Sequence, residues 1–262
     1  MDYLNYWGIV SSPFRLSKQS QLYFGEAHRG FLADLIQVAS QPQRITSFLA
    51  PRHSGLSTLL GFFADSHGLG KQAVQMAVVG KDLYQKDCLL RVLMTAIGAS
   101  GISGQHQAVC SAADKIALDH LAGIRSVLVL DRPLASAMEV AIELAGTCQQ
   151  LHVLIAGDSE VLNLVPSRVH QGNKIDLKSS LGCLSYAESL EFIRSSLREV
   201  GGADDVFSVS ALDALFQCAE GRIGLISHLA YQSMQQAFEF RIRQVTLEVL
   251  ESVLHTPVRQ AA

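Results

Sequence analysis

The chain has 262 residues, 48% of them hydrophobic and 17% charged, with 21 Lys and Arg against 24 Asp and Glu and a formal charge of −3. That length and balance suit one large or two unequal globular domains with a substantial buried core, and they exclude a disordered chain. Neither the net charge nor any Lys/Arg block points to nucleic acid, and no apolar run approaches the ~20 residues of a membrane-spanning helix.

Residues 1–25 are aromatic-rich, and Gly8 and Pro13 argue against a long helix there. From Glu26 to about Ala39, the positions of Phe31, Leu32, Leu35, Ile36 and Val38 suit one face of a helix. Strands and helices then alternate. A strand is expected over Arg44–Leu49, a helix over Leu56–Asp65 and a strand over Ala73–Val79. Helices are expected over Tyr84–Ile97 and Val109–Leu121, with a loop over Gly98–Gly104 between them. A strand over 126–130, a helix over Leu134–Thr147, a strand over 151–156 and a short last strand over 174–177 complete the series. Unbroken apolar strands alternating with helices predict a parallel sheet covered on both faces. Beyond Leu184 only amphipathic helices remain. Ser185, with Glu188 three residues on, forms a capping box, and Gly201 and Gly202 end that helix. Helices over Ser210–Ala219, Ile223–Phe238 and Thr246–Leu254 follow.

The five cysteines (Cys88, Cys110, Cys148, Cys183, Cys218) are scattered and include no C-x-x-C pair. They read as reduced, mostly buried thiols of a cytoplasmic protein. No basic segment precedes an apolar core at the N-terminus, so no signal peptide is expected. The nine histidines show no H-E-x-x-H or H-x-H spacing, and no G-x-S-x-G elbow is present. Arg241–Arg243 reads as a solvated face rather than a DNA contact.

Near the N-terminus, Tyr6, Trp7 and Gly8 lead to Pro13 and Phe14, then to Leu22 and Tyr23, then to Ala27, His28 and Arg29 at a helix start. Later come a strand ending in an acid ("VLVLD"), a strand followed by "GDSEVL", and "CLSYAESLEFIRSSL" ahead of the last helices. In these segments and their order the chain resembles the AAA+ ATPases of the secretion-pathway A type, relatives of which serve as transposition helpers. The resemblance covers nearly the whole chain. It implies a P-loop NTPase-like α/β domain over 1–184, aromatic segment included, and a helical lid domain over 185–262.

The resemblance places a phosphate loop, G-x-x-x-x-G-K-[ST], on "APRHSGLST", residues 50–58. In such a loop glycines permit the turn, backbone N–H groups cradle phosphate, the lysine adds charge and the hydroxyl holds Mg²⁺. Here Ala50 replaces the first glycine and Leu56 the lysine, while Gly55 and Ser57 keep their places. Loss of the lysine weakens phosphate binding by roughly ten- to more than a hundredfold. Arg52 and His53 are the nearby cations available as substitutes. Taken alone, the stretch reads more simply as a strand–turn–helix. The family's acidic strand end is Asp-Glu. This chain has Asp131 followed by Arg132, and an arginine cannot serve as a general base. Asp131 reads equally as a metal-orienting carboxylate or as a helix N-cap. At the sensor position the family shows Gly-Gln, whereas Gly157 and Asp158 stand here. Asp158 or Ser159 reads as the cap of a short helix over 160–164. In the lid, Gly224 falls where the family places an arginine, with Arg222 two residues away.

The nucleotide-contacting residues implied are therefore His53, Ser54, Gly55, Ser57, Thr58 and Asp131, with Ser57 and Asp131 as the metal ligands and no catalytic residue. ATP and Mg²⁺ are expected to bind weakly if at all. The expectation is a catalytically defective regulatory or scaffold subunit with a protein partner, either an active AAA+ paralogue or a second copy, and without nucleic acid. A weak, atypical Mg²⁺-dependent ATPase and a nucleic-acid-associated helper of the transposition type remain as alternatives.

Overall fold

A computed structural model of the chain describes residues 2–14, 22–40, 45–66, 74–79, 91–95, 98, 105–163 and 176–255. It divides into two compact units, Ala27–Gly182 on one side and Met1–Glu26 with Cys183–Ala262 on the other. The aromatic N-terminal segment thus groups with the helical unit and not, as the sequence suggests, with the sheet. Its rings explain the difference, because they are buried among the helices of that unit.

In the sheet unit, α2 (Glu26–Ala39) buries Phe31, Leu35 and Val38 at helical spacing. β1 (Ile45–Leu49), α3 (Leu56–Asp65) and β2 (Val74–Val79) follow. Next come α4 (Gln105–Leu121), β3 (Arg125–Asp131), α5 (Ala135–Thr147), β4 (Leu151–Gly157), α6 (Ser159–Asn163) and β5 (Asp176–Ser180). The helix expected over Tyr84–Ile97 is described only at residues 91–95, which are helical. The loop after it lies outside the described residues apart from Gly98. The strands form one parallel sheet in the order β2-β3-β4-β1-β5. β4 is buried along its whole length and β3 along nearly all of its own, as a sheet covered on both faces requires. On one face Leu128, Leu130, Val153 and Ile155 pack with Ile116 of α4 and Met138, Ala141 and Leu144 of α5. Elsewhere Phe48 of β1 meets Phe31 of α2 edge-on, ring centroids 5.1 Å apart.

Two elements differ from expectation by more than one residue. α4 begins at Gln105, four residues before its apolar repeat, and β5 runs over Asp176–Ser180 rather than 174–177. Pairing with β1 (Thr46 with Asp176, Leu49 with Ser180) sets the β5 register on a stretch whose one apolar residue is Leu177.

The helical unit contains α1 (Tyr3–Trp7), α7 (Tyr186–Glu199), α8 (Val209–Ala219), α9 (Ile223–Glu239) and α10 (Leu247–His255). Tyr6, Trp7, Phe192, Phe207, Leu215, Ile226 and Met234 share its core. Both arms of the capping box are formed: Ser185 Oγ accepts from Glu188 N, and the Glu188 carboxylate accepts from Ser185 N. Gly221 has φ +72°, and a Cβ there would lie 2.0 Å from the Leu184 carbonyl oxygen, so only glycine fits. Arg241–Arg243 is exposed, as expected of a solvated face, yet Arg243 also makes a contact within the unit. Its guanidinium stands 4.6 Å from the centre of the Tyr6 ring, and its Nη1 donates to the Tyr6 carbonyl at 2.8 Å. The thiols are not mostly buried. Of the described cysteines only Cys148 is, and that burial pushes its thiol up to about 11, while Cys110, Cys183 and Cys218 are exposed. Among the described residues no helix is long and apolar enough to cross a membrane.

Candidate phosphate-binding site

Sheet topology selects the location. β1 and β4 are neighbours, yet the chain leaves β1 for the β2 edge and leaves β4 for β5 on the opposite side. Ligands of open parallel sheets bind beyond the strand C-termini at such a divergence. Three strand ends align there. Leu49 pairs with Gly157 and Asp131 with Ala156, Ala50 N donates to Gly157 O at 2.7 Å, and Arg132 N donates to Ala156 O at 2.8 Å. Gly157 is needed where α6 folds back, because a Cβ would come within 2.8 Å of Val161 Cβ.

The loop 50–55 enters α3 through two left-handed residues, His53 (φ 64°) and Gly55 (φ 85°), on either side of Ser54. Between them Ser54 N donates to Pro51 O at 3.3 Å, which closes the loop on itself ahead of the helix. Gly55 is the N-cap of α3, and no side chain caps the helix. From α2, the buried His28 braces the loop: its Nε2 lies 3.0 Å from Ser54 O, and since a carbonyl only accepts, the ring donates from Nε2. His53, Ser54, Gly55, Ser57 and Thr58 thus gather on one loop and the first turn of its helix. Ser54 is buried, Thr58 half-buried and Ser57 exposed.

Leu56, at the lysine position, is 1% exposed and belongs to the core. Arg52 is committed elsewhere. Its Nε donates to Asp158 Oδ2 at 2.9 Å and its Nη2 to Glu160 Oε2 at 3.1 Å. The hydrogen bond from Arg52 holds the Asp158 carboxyl below the usual carboxylate range. Asp158 Oδ1 also accepts from Val161 N at 3.2 Å, which makes it the expected helix cap.

Asp131 is not a helix cap. Leu134 is the N-cap of α5 and makes no side-chain bond, so the carboxylate is turned to another partner. That partner is Arg132. With φ 48°, the backbone at Arg132 is left-handed, at a cost of about 1–2 kcal/mol for a non-glycine residue. Its guanidinium folds back over the loop. Nη1 lies 3.3 Å from Asp131 Oδ1 and 3.4 Å from Ser57 Oγ, and Nη2 donates to Pro51 O at 3.2 Å. The structure therefore brings Ser57 and Asp131 together, with a guanidinium between them. A divalent cation between the same two oxygens meets that fixed positive charge, so as arranged these residues do not fit Mg²⁺. Sequence reasoning treated Arg132 only as a lost base. Its signal was the charge itself, next to a strand-terminal acid.

In the helical unit, Arg222 is the N-cap residue of α9. Its Nε donates to Ala219 O at 3.1 Å and its Nη2 to Glu220 Oε2 at 3.2 Å, so it is engaged locally.

No protein-family model and no curated protein sequence matches the chain. Solved structures do. Cdc6p from Pyrobaculum aerophilum superposes with a TM-score of 0.65 at 14% identity, over 90% of this chain and 68% of that one. Drosophila ORC bound to DNA gives 0.64 at 12% identity, over 96% of this chain and 64% of that one. The Thermotoga maritima RuvB Holliday junction branch migration motor gives 0.54 at 13% identity, over 92% and 72%. The chain thus spans about two thirds of the length of these longer proteins, and at such identities the likeness is one of fold. With its parallel order β2-β3-β4-β1-β5 and a loop–helix turn after β1, the chain has the α/β P-loop NTPase fold of the AAA+ ATPases.

Proposed function

We propose that the chain is a non-hydrolysing regulatory or scaffold subunit built on the AAA+ fold, acting with a protein partner that is either an active paralogue or a second copy. The observation that carries this reading is the guanidinium of Arg132 between Ser57 and Asp131. Hydrolysis in this fold needs a carboxylate to activate water and a metal to neutralise developing charge. Here an arginine follows the strand-end acid and fills the metal's place, and Leu56 supplies no charge. A phosphate-release assay with millimolar ATP and Mg²⁺ is expected to stay at background. Turnover abolished by Ser57→Ala would sink the reading in favour of an atypical ATPase.

A second reading, association with DNA, is favoured by one observation: a structural neighbour is an ORC assembly bound to DNA. It predicts retention on duplex DNA that falls steeply as salt rises. Retention that is absent at low salt rejects it.

A further inference from the structure

We propose that the loop 50–58 binds the di- or triphosphate group of a nucleotide without a divalent metal, Arg132 supplying the positive charge between Ser57 and Asp131. This rests on the non-hydrolysing reading and goes beyond it, since a scaffold need bind no nucleotide.

Four features of the same loop converge. The uncapped start of α3 presents backbone N–H groups, and the first turn of α3 holds no acidic residue to oppose an anion. Arg132 donates through Nη1 and Nη2 at the mouth of that turn, and its Nε is buried with no partner among the described residues. Its donors thus exceed the acceptors that the protein provides. Ser54 Oγ, within the loop, is likewise buried without a partner among the described residues. Finally, Arg52 is held by Asp158 and Glu160, which leaves Arg132 as the cation against Ser57. Asp131 opposes an incoming phosphate, and Arg132 already lies against it. The charge balance has a consequence for the ligand. Mg²⁺ complexed to a polyphosphate lowers its negative charge and brings a second cation against the guanidinium. Metal-free phosphate is the better match.

The test is an equilibrium titration of the full chain with ADP, ATP and pyrophosphate, each in EDTA and in Mg²⁺. For the wild type, binding in EDTA is expected to equal or exceed that in Mg²⁺. Arg132→Ala is expected to weaken it by about tenfold or more, and Arg132→Lys by less. Asp131→Asn, which removes the opposing charge and keeps the shape, is expected to tighten it. Thermal melts of each variant establish folding, and Asp131→Asn keeps the proposal falsifiable if Arg132→Ala does not fold. Pyrophosphate binding as well as ADP places recognition in the phosphates alone; tighter ADP adds a nucleoside contact, and both support the proposal. Binding that requires Mg²⁺, no binding at millimolar ligand, an Arg132→Ala protein that binds as well or better, or weaker binding by Asp131→Asn overturns it. Phosphate release in the Mg²⁺ arm would defeat the non-hydrolysing reading alone, so the two failures are distinguishable.

Discussion

Arg52 Nε lies 2.9 Å from Asp158 Oδ2, so the loop leaving β1 is tied to the loop leaving β4 by one ion pair, doubled by Glu160. The pair is local, and Arg52 is largely exposed. It therefore acts on the loop more than on global stability. Asp158→Asn removes the charge but keeps an acceptor for Val161 N. Amide hydrogen exchange across residues 52–55 is expected to quicken severalfold in this variant and in Arg52→Ala, with the melting temperature nearly unchanged. Because Arg52 lowers the Asp158 pKa, the tie is complete above the ordinary carboxylate range and is lost as pH falls through the lowered value. Wild-type exchange in this loop, corrected for its intrinsic pH dependence, is therefore expected to be uniform around neutrality.

On the non-hydrolysing reading, placing a lysine at position 56 is not expected to produce an ATPase. Leu56 is buried at 1% exposure, so Leu56→Lys forces an ammonium out of the core and leaves a void, at roughly 2 kcal/mol or more. Arg132 also remains in place. Urea unfolding is expected to show the loss, and phosphate release is expected to stay at background.

His152 of β4 makes the sheet acid-sensitive. It is buried and shares a 3.0 Å hydrogen bond with Thr46 Oγ1 of β1, and burial, assisted by the Arg125 charge, pushes its pKa down to about 4. Between that value and the ordinary value near 6.5 the unfolded chain holds the extra proton, so stability falls as the pH is lowered through this window. The full effect is about 3 kcal/mol. Chemical unfolding at pH 7 and pH 4.5 is expected to reveal the slope, and His152→Gln is expected to flatten that part of it.

At the start of α7, Ser185→Ala is expected to cost about 1 kcal/mol of stability, as for other helix N-caps. Glu188→Ala is expected to cost more. Glu188 carries the return arm of the capping box to Ser185 N, and its Oε1 also accepts from Glu26 N at 2.6 Å. Paired melts of the two variants measure the difference.

The sequence announced elements wherever local chemistry decided them. Glu26–Ala39 and Leu56–Asp65 match the helices found, and Ser185 and Glu188 cap as their spacing predicts. β5 was misplaced because its position is set by pairing with β1, through residues as polar as Lys178, Ser179 and Ser180. The grouping of the aromatic N-terminus was not legible for a related reason. Tyr3 and Tyr6 pack against Phe238, more than two hundred residues away in sequence, and nothing local encodes that contact. In the site, the missing lysine could be read directly from Leu56. The position of Arg132 could not, because it depends on a left-handed backbone and on the alignment of the β1, β3 and β4 ends. His28 was visible as part of a pattern, but its hydrogen bond to the loop was not.

The interlock of Arg132 with Asp131 also bears on how this sequence can change. A lysine gained at position 56 enters a buried core position, and Arg132 remains against Ser57. Loss of Arg132 alone leaves Asp131 buried beside Ser57 without its counter-charge. On the non-hydrolysing reading, each single step towards a hydrolysing site is thus penalised before the other can reward it. On that reading the two positions form an epistatic ratchet, crossed only in a concerted move.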